Sequence, residues 1–167
     1  MREAVSLSEK SPERPTNFRV GALLFDVDAN RILATGFTLE LPGNTHAEQC
    51  CLSKYAAAND MTEDRVGDIL PPHTVLFSTM EPCAKRLSGN ISCVERILQT
   101  TRGGAGIRQV YIGVKEPSTF VGDSAGRAQL VREGVECFYV PGFDDEILKI
   151  ATSGHGHGHG QPEPSHA

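Results

Sequence analysis

A chain of 167 residues is long enough for one compact domain with a real core, and not comfortably for two. Its 39% apolar and 22% charged residues are ordinary for a soluble protein, and no apolar run approaches the roughly 20 residues that span a bilayer, so no membrane partner is expected. The formal net charge of −5 argues against a nucleic-acid partner, which needs a field of Lys and Arg, but leaves room for a small anion held by a few local cations.

Residues 1–16 place Ser8, Ser11, Pro12 and Pro15 among charges and hold no apolar h-region. They read as a flexible N-terminal arm and not as a secretory signal, which makes the cytoplasm, or the nucleus, the expected compartment. Residues 19–26 carry Val-Gly-Ala-Leu-Leu-Phe and predict a strand. Residues 26–30 predict a turn, and 31–38 the returning strand of a hairpin. After the loop at 41–45, Asn44 or Thr45 is expected to cap a helix over 46–59.

Residues 60–72 read as a polar connection closed by Pro71 and Pro72, and 74–79 as a central strand. A loop with Pro82 and Gly89 follows. Val94, Ile97 and Leu98 give 92–101 a helical period, which Gly103 and Gly104 stop. A strand is expected over 109–114, a helix over 122–133, a strand over 135–140 and a last helix over 143–152. The order β-β-α-β-α-β-α-β-α predicts an α/β fold, a three-layer α/β/α sandwich on a five-stranded mixed sheet. The helix between the last two strands lets them run parallel. The expected domain is 17–152. Residues 153–167 alternate Gly with His and read as a mobile tail. Four of the six histidines lie there, so metal affinity of the tail must be separated from that of the domain.

Chemistry concentrates at His46-Ala47-Glu48, Pro82-Cys83 and Cys93. An imidazole and two thiolates give Zn²⁺ a neutral site with one open corner, and a carboxylate two residues from the histidine supplies a proton carrier. Together they are the parts of a zinc-dependent deaminase. Either half alone is a weak signal; order and placement at two helix starts make the set specific. Helix N-termini favour thiolates at Cys83 and Cys93. The remaining cysteines, Cys50, Cys51 and Cys137, read as buried, inert thiols, and the odd total argues against a disulfide framework.

On these motifs the chain resembles the cytidine-deaminase-like superfamily over about residues 17–140. Asn17-Phe-Arg-Val-Gly21 resembles its first-strand signature, whose Asn contacts the substrate base. His46-Ala-Glu48 and Thr79-Met-Glu-Pro-Cys83 resemble its two metal motifs, with Ala47 among the implied substrate contacts. In the pattern Pro-Cys-x-x-Cys the second cysteine follows almost at once, whereas here nine residues, 84–92, intervene. That insert, read as Glu81-Pro-Cys-Ala-Lys-Arg-Leu-Ser-Gly-Asn90, resembles the fungal-type pyrimidine deaminases of riboflavin biosynthesis, often called DRAP deaminases. So do residues 114–117 and 122–134. The resemblance implies a zinc cofactor and deamination of 2,5-diamino-6-ribitylamino-4-pyrimidinone 5′-phosphate to the corresponding uracil. It also implies a homodimer or larger homo-oligomer. The length leaves no room for a fused reductase or pseudouridine-synthase domain.

The insert has its own physical sense. Lys85 and Arg86 are adjacent cations in an acidic chain, and Ser88, Gly89 and Asn90 add donors and a flexible backbone. They could hold a ribityl phosphate beside the metal; equally, the loop could be solvated with its charges outward. His73 and Lys115 read as ordinary surface before phosphate contacts. The runner-up function is a nucleoside or nucleobase deaminase of cytosine or guanine type. The alternative from another class is a catalytically silent zinc-bound scaffold, against which Glu48 speaks.

Overall fold

The hairpin starts the sheet. In the computed structural model, which describes residues 1–115 and 125–156, β1 (Gly21–Asp26) pairs antiparallel with β2 (Arg31–Phe37). The turn closes because Asp26 Oδ1 accepts from the Ala29 N–H at 3.1 Å and Asn30 takes a left-handed φ of 49°, which Asn tolerates. β3 (Thr74–Met80) pairs antiparallel with β1 on its other side. β4 (Gln109–Val114) and β5 (Glu136–Tyr139) then run parallel to β3, in the order β2-β1-β3-β4-β5. This is the expected five-stranded mixed sheet, with the last two strands parallel.

Residues 1–16 are not the flexible arm that their composition predicts. Arg2–Ser8 forms a helix, α1, with Ala4, Val5 and Leu7 buried. Ala4 and Leu7 pack on Leu23, flanked by Phe25 and Phe77, while Val5 enters the main core. The helix can lie this close because β1 opens with a glycine: a Cβ on Gly21 would stand 2.0 Å from the Ala4 carbonyl oxygen and 2.6 Å from the Ser8 nitrogen.

On the opposite face, α2 (Ala47–Ala58) packs on β1 and β2, and α3 (Cys93–Thr100) follows β3. α4 (Gly126–Arg132) bridges β4 to β5, and α5 (Asp144–Ala151) returns beside α1 and β4. Leu24, Leu52, Leu76, Ile97, Ile112 and Leu130, all essentially inaccessible, form the centre of the core. The connection at 60–72 is more ordered than its polarity suggests. Glu63–Asp68 makes a 3₁₀ helix whose Val66 is buried.

The cap of α2 also departs from expectation: His46 itself is the N-cap, with no side-chain bond. The Thr45 hydroxyl instead donates to the Leu41 carbonyl at 3.0 Å, and Asn44 Oδ1 accepts from Asn17 Nδ2 at 2.9 Å. The start of the predicted helix at 122, the segment 116–117 and the tail beyond 156 lie outside the described residues. Among the described residues no helix is long and apolar enough to cross a membrane.

Leu7, at 3% exposure, distinguishes a packed helix from a flexible arm. Leu7→Ala is expected to lower the unfolding free energy in urea by about 2–5 kcal/mol. A midpoint and slope unchanged from the parent would return residues 1–16 to the status of an arm.

Candidate active site

Three stretches of chain converge at the C-terminal end of β3. His46 ends the loop that follows β2, Cys83 lies just beyond β3, and Cys93 opens α3. Their ligand atoms all lie within 4.8 Å of one another. His46 Nδ1 stands 3.5 Å from Cys83 Sγ and 3.4 Å from Cys93 Sγ. A tetrahedral zinc with Zn–S of about 2.3 Å and Zn–N of about 2.0–2.1 Å sets N···S edges of about 3.5–3.6 Å. The three donors therefore fit the ion in type and in spacing.

The protein charges this cluster unequally. Contact with the Cys93 side chain and the neighbouring His46 imidazole, against the opposing effect of burial, lowers the Cys83 pKa to about 4. The Cys93 backbone N–H also donates to Cys83 Sγ at 3.4 Å. Cys93 is pushed well up, first by its contact with Cys83, then by burial and the nearby Glu48. One thiol thus ionises readily and the second resists, which is the imbalance a bound dication removes.

Glu48, on the first turn of α2, is 3% exposed. Its Oε1 accepts from the Ser78 hydroxyl at 3.1 Å and its Oε2 from the Cys93 thiol at 3.3 Å. Burial first, and then the Cys83 thiolate, push its pKa above the ordinary carboxyl value. A carboxyl so placed lies against the ligand set, through Cys93, without being part of it.

Several contacts that sequence reasoning missed hold the ligands in place. Ser92 Oγ accepts from the Glu95 N–H at 3.1 Å, capping α3 directly before Cys93. Arg96, one turn further on, pairs with Glu63, which also accepts from Ser53 of α2, so one carboxylate joins the two helices that bear the site. Glu81, two residues before Cys83, is buried. Its Oε1 accepts from the Arg127 N–H at 2.7 Å and its Oε2 from the Tyr139 hydroxyl at 2.9 Å. Burial, followed by that bond to Glu81, pushes the Tyr139 hydroxyl up to about 12, so it stays a donor. α4 reaches Glu81 because a Cβ on Gly126 would overlap the Pro82 carbonyl oxygen at 1.9 Å. The Ser92-x-x-Glu95 pattern was the one readable signal among these.

A cleft with about 780 Å³ of empty volume opens over His46, Glu48 and Cys83. Asn17, Phe18 and Asn44 line it, as do Lys85, Arg86 and Ser88 from the inter-cysteine insert. The predicted site residues therefore meet, with exceptions. Ala47 is buried outside the lining, and Asn90 is exposed outside it, its N–H donating to Ser88 Oγ at 3.4 Å. Arg86 is not a free cation. It is 7% exposed, with Nη1 donating to Gln49 Oε1 at 3.0 Å and Nη2 to the Asn44 carbonyl. Lys85 is exposed. The Asn17 side chain accepts from the Thr16 hydroxyl at 3.0 Å besides its bond to Asn44. His73 pairs with Asp28 at 2.8 Å at the other end of β3, and neither it nor Lys115 lines the cleft. Cys50, Cys51 and Cys137 are buried and free.

Comparison with known proteins agrees with this site. The family profile of the cytidine and deoxycytidylate deaminase zinc-binding region matches residues 1–114, which include all three ligands and Glu48. A diaminohydroxyphosphoribosylamino-pyrimidine deaminase of Schizosaccharomyces pombe is 34% identical over 155 residues. That match covers 93% of this chain but only 35% of the relative, so the chain spans about a third of that protein's length. The crystal structure of Aspergillus oryzae Rib2 deaminase, as a C-terminal deletion mutant at pH 4.6, is similar with a TM-score of 0.87 and 51% identity, covering 93% of this chain and 90% of that one. The same enzyme in complex with DARIPP gives a TM-score of 0.84 at 50% identity, over 92% and 88% of the two chains.

The metal assignment is checked by elemental analysis. A chain shortened after residue 156, which removes the distal tail histidines, is expected to hold one zinc per molecule, and the Cys83→Ala, Cys93→Ala double variant none. Full zinc in the double variant would overturn the ligand set.

Proposed function

The chain belongs to the cytidine and deoxycytidylate deaminase zinc-binding family, and on that footing we propose that it is a hydrolytic deaminase of riboflavin biosynthesis. Its substrate is 2,5-diamino-6-ribitylamino-4-pyrimidinone 5′-phosphate, converted to 5-amino-6-ribitylamino-uracil 5′-phosphate with release of ammonia. The observation that carries the reaction type is the buried carboxyl of Glu48, fixed between Ser78 and Cys93 beneath the cleft. The substrate class is supported by the S. pombe and A. oryzae relatives, one named a diaminohydroxyphosphoribosylamino-pyrimidine deaminase and one crystallised with DARIPP. The long insert that lines the cleft supports it further.

Zinc, when bound by His46, Cys83 and Cys93, supplies the Lewis-acid chemistry that makes water a nucleophile near neutral pH. The rest falls to the chain. Ser78 holds Oε1 of Glu48, and ionisation of Cys93 leaves Oε2 free to take a proton from the attacking water. As the C–O bond forms at the ring carbon that bears the amine, Glu48 hands that proton to the ring nitrogen. The proton of the added hydroxyl then passes by the same carboxyl to the amine, the C–N bond breaks, ammonia leaves and the added oxygen becomes the ring carbonyl. Burial helps because it raises the proton affinity of the carboxyl, which suits it both to accept and to return a proton. Asn17 is the proposed contact to the ring or ribityl chain, presented by its bond to Asn44.

The insert divides its labour. Lys85 is the proposed partner of the phosphate, with Ser88 as a neutral donor. Arg86 fastens the loop to α2 and to residue 44. The cytoplasm is the proposed compartment, supported by cysteines that all stay free. A homodimer or larger assembly is proposed as well, for which Phe138 and Tyr139, at 41% and 44% exposure, offer apolar surface.

Ammonia release from a panel of aminopyrimidines tests the reading. The ribitylamino-pyrimidine phosphate is expected to turn over, and cytidine, cytosine and guanine are not; stoichiometric zinc with no turnover of any member would favour a silent scaffold. Glu48→Gln is expected to keep fold and zinc and to lose about 10²–10⁴-fold in kcat; a rate within tenfold of the parent would remove Glu48 from the proton path.

The loop gives a separate expectation. A charge-assisted phosphate contact contributes about 1.5–3 kcal/mol, or about one to two decades of affinity. Lys85→Ala is therefore expected to raise KM for the phosphorylated substrate by that factor, less at high salt, and to change it little for the dephosphorylated one. Equal effects on both substrates would mean the phosphate lies elsewhere.

A further inference from the structure

Asn17 and Phe18 line the cleft, yet they lie in no helix or strand. Apart from one isolated bridge between Arg14 and Asn17, segment 14–20 has no ladder of its own. Besides the Asn17–Asn44 and Val20–Thr38 bonds, it is held by contacts with both ends of the described chain.

Arg19 makes most of them. Its backbone N–H donates to the Ala151 carbonyl at 3.1 Å. Its side chain is 14% exposed and donates from Nε to the Ser11 carbonyl at 2.8 Å, from Nη2 to the Glu9 carbonyl at 2.6 Å and from Nη1 to Ser153 Oγ at 2.8 Å. It also pairs with Glu13 at 3.4 Å. One guanidinium thus joins residues 9–13 to residue 153. Beside it, His155 Nε2 donates to the Asn17 carbonyl at 3.1 Å; a carbonyl oxygen only accepts, so Nε2 carries the proton. The His155 ring lies 4.9 Å from the Phe18 ring, tilted by 51°. Between the two, a Cβ on Gly154 would stand 2.4 Å from the Arg14 nitrogen, so the C-terminal turn sits directly on the segment.

None of Arg19, Ser153 or His155 lines the cleft. We propose that Arg19 and His155 are positioning residues for substrate binding, holding Asn17 and Phe18 as a fixed side of the cleft. Residues 153–155 then belong to the binding apparatus, and not to a dispensable tail starting at 153. The contacts touch neither the metal ligands nor Glu48, so their loss weakens ground-state and transition-state binding together and raises KM at constant kcat. Only this kinetic consequence rests on the deaminase reading.

The test compares the full chain with chains ending after residues 156 and 152, and with His155→Ala, Arg19→Ala and Arg19→Lys. Backbone amide exchange in 14–20, followed by mass spectrometry, needs no substrate. It is expected to quicken by about tenfold or more in the chain ending at 152, in His155→Ala and in Arg19→Ala, while 93–100 and zinc content stay unchanged. The chain ending at 156 is expected to match the full chain, and Arg19→Lys, which keeps a cationic donor, to lie between Arg19→Ala and the parent. In turnover, KM for the ribitylamino-pyrimidine phosphate is expected to rise about three- to tenfold in His155→Ala with kcat within about twofold. Unchanged exchange in 14–20 for both His155→Ala and Arg19→Ala overturns the proposal, as does a fall in kcat at constant KM. If the chain ending at 152 fails to fold, the two point variants decide. If the parent turns over no aminopyrimidine, the deaminase reading fails while the exchange data still decide this one.

Discussion

Two thiols and an imidazole nitrogen held within 4.8 Å of one another repel as soon as both thiols ionise. Much of the fold near the C-terminal end of β3 works to keep them there. Ser92 fixes the first turn of α3, the Arg96–Glu63–Ser53 link ties that helix to α2, and Glu81 anchors the stretch before Cys83 to α4 and Tyr139. These contacts hold the three donors in place, and the surroundings of Cys83 lower its pKa to about 4, favouring the thiolate a metal needs. Preorganisation of this kind spares the ion the cost of gathering its ligands.

The same arrangement separates two tasks by depth. The proposed proton carrier sits low, where Glu48 is buried and its pKa rises. The proposed phosphate contacts sit at the rim, where Lys85 and Ser88 meet solvent. Arg86 lies between the two levels. It turns a nine-residue insert from a floppy excursion into a fixed shelf by bonding to Gln49 and residue 44.

What the sequence revealed follows from range. The strands and the larger helices were legible because their periodicity is local, and the ligand set because a metal demands particular side chains in particular order. α1 was not. Seven residues with three buried apolar side chains look like a polar arm until Gly21 of β1 admits them. Nor was the fate of Arg86, since an arginine is written the same way whether solvated or locked to a carbonyl. Glu81 and Tyr139 stand 58 positions apart, and Arg19 and Ser153 stand 134 apart. No periodicity couples such pairs; tertiary packing alone brings them together. The insert at 84–92 shows the limit from the other side. Its composition allowed both a phosphate shelf and a solvated loop; the structure turns Arg86 inward onto Gln49 and residue 44 and leaves Lys85 exposed.

The meeting of residues 17 and 155, 138 positions apart, also has a meaning in time. A chain grows from its N-terminus, and domains settle as their parts emerge. His46, Cys83 and Cys93 are all made before β4 begins, so the metal cluster draws on the first part of the domain. The side of the cleft at Asn17 and Phe18 is braced only once residue 155 exists. A nascent chain can therefore gather its ligands well before it can grip a substrate.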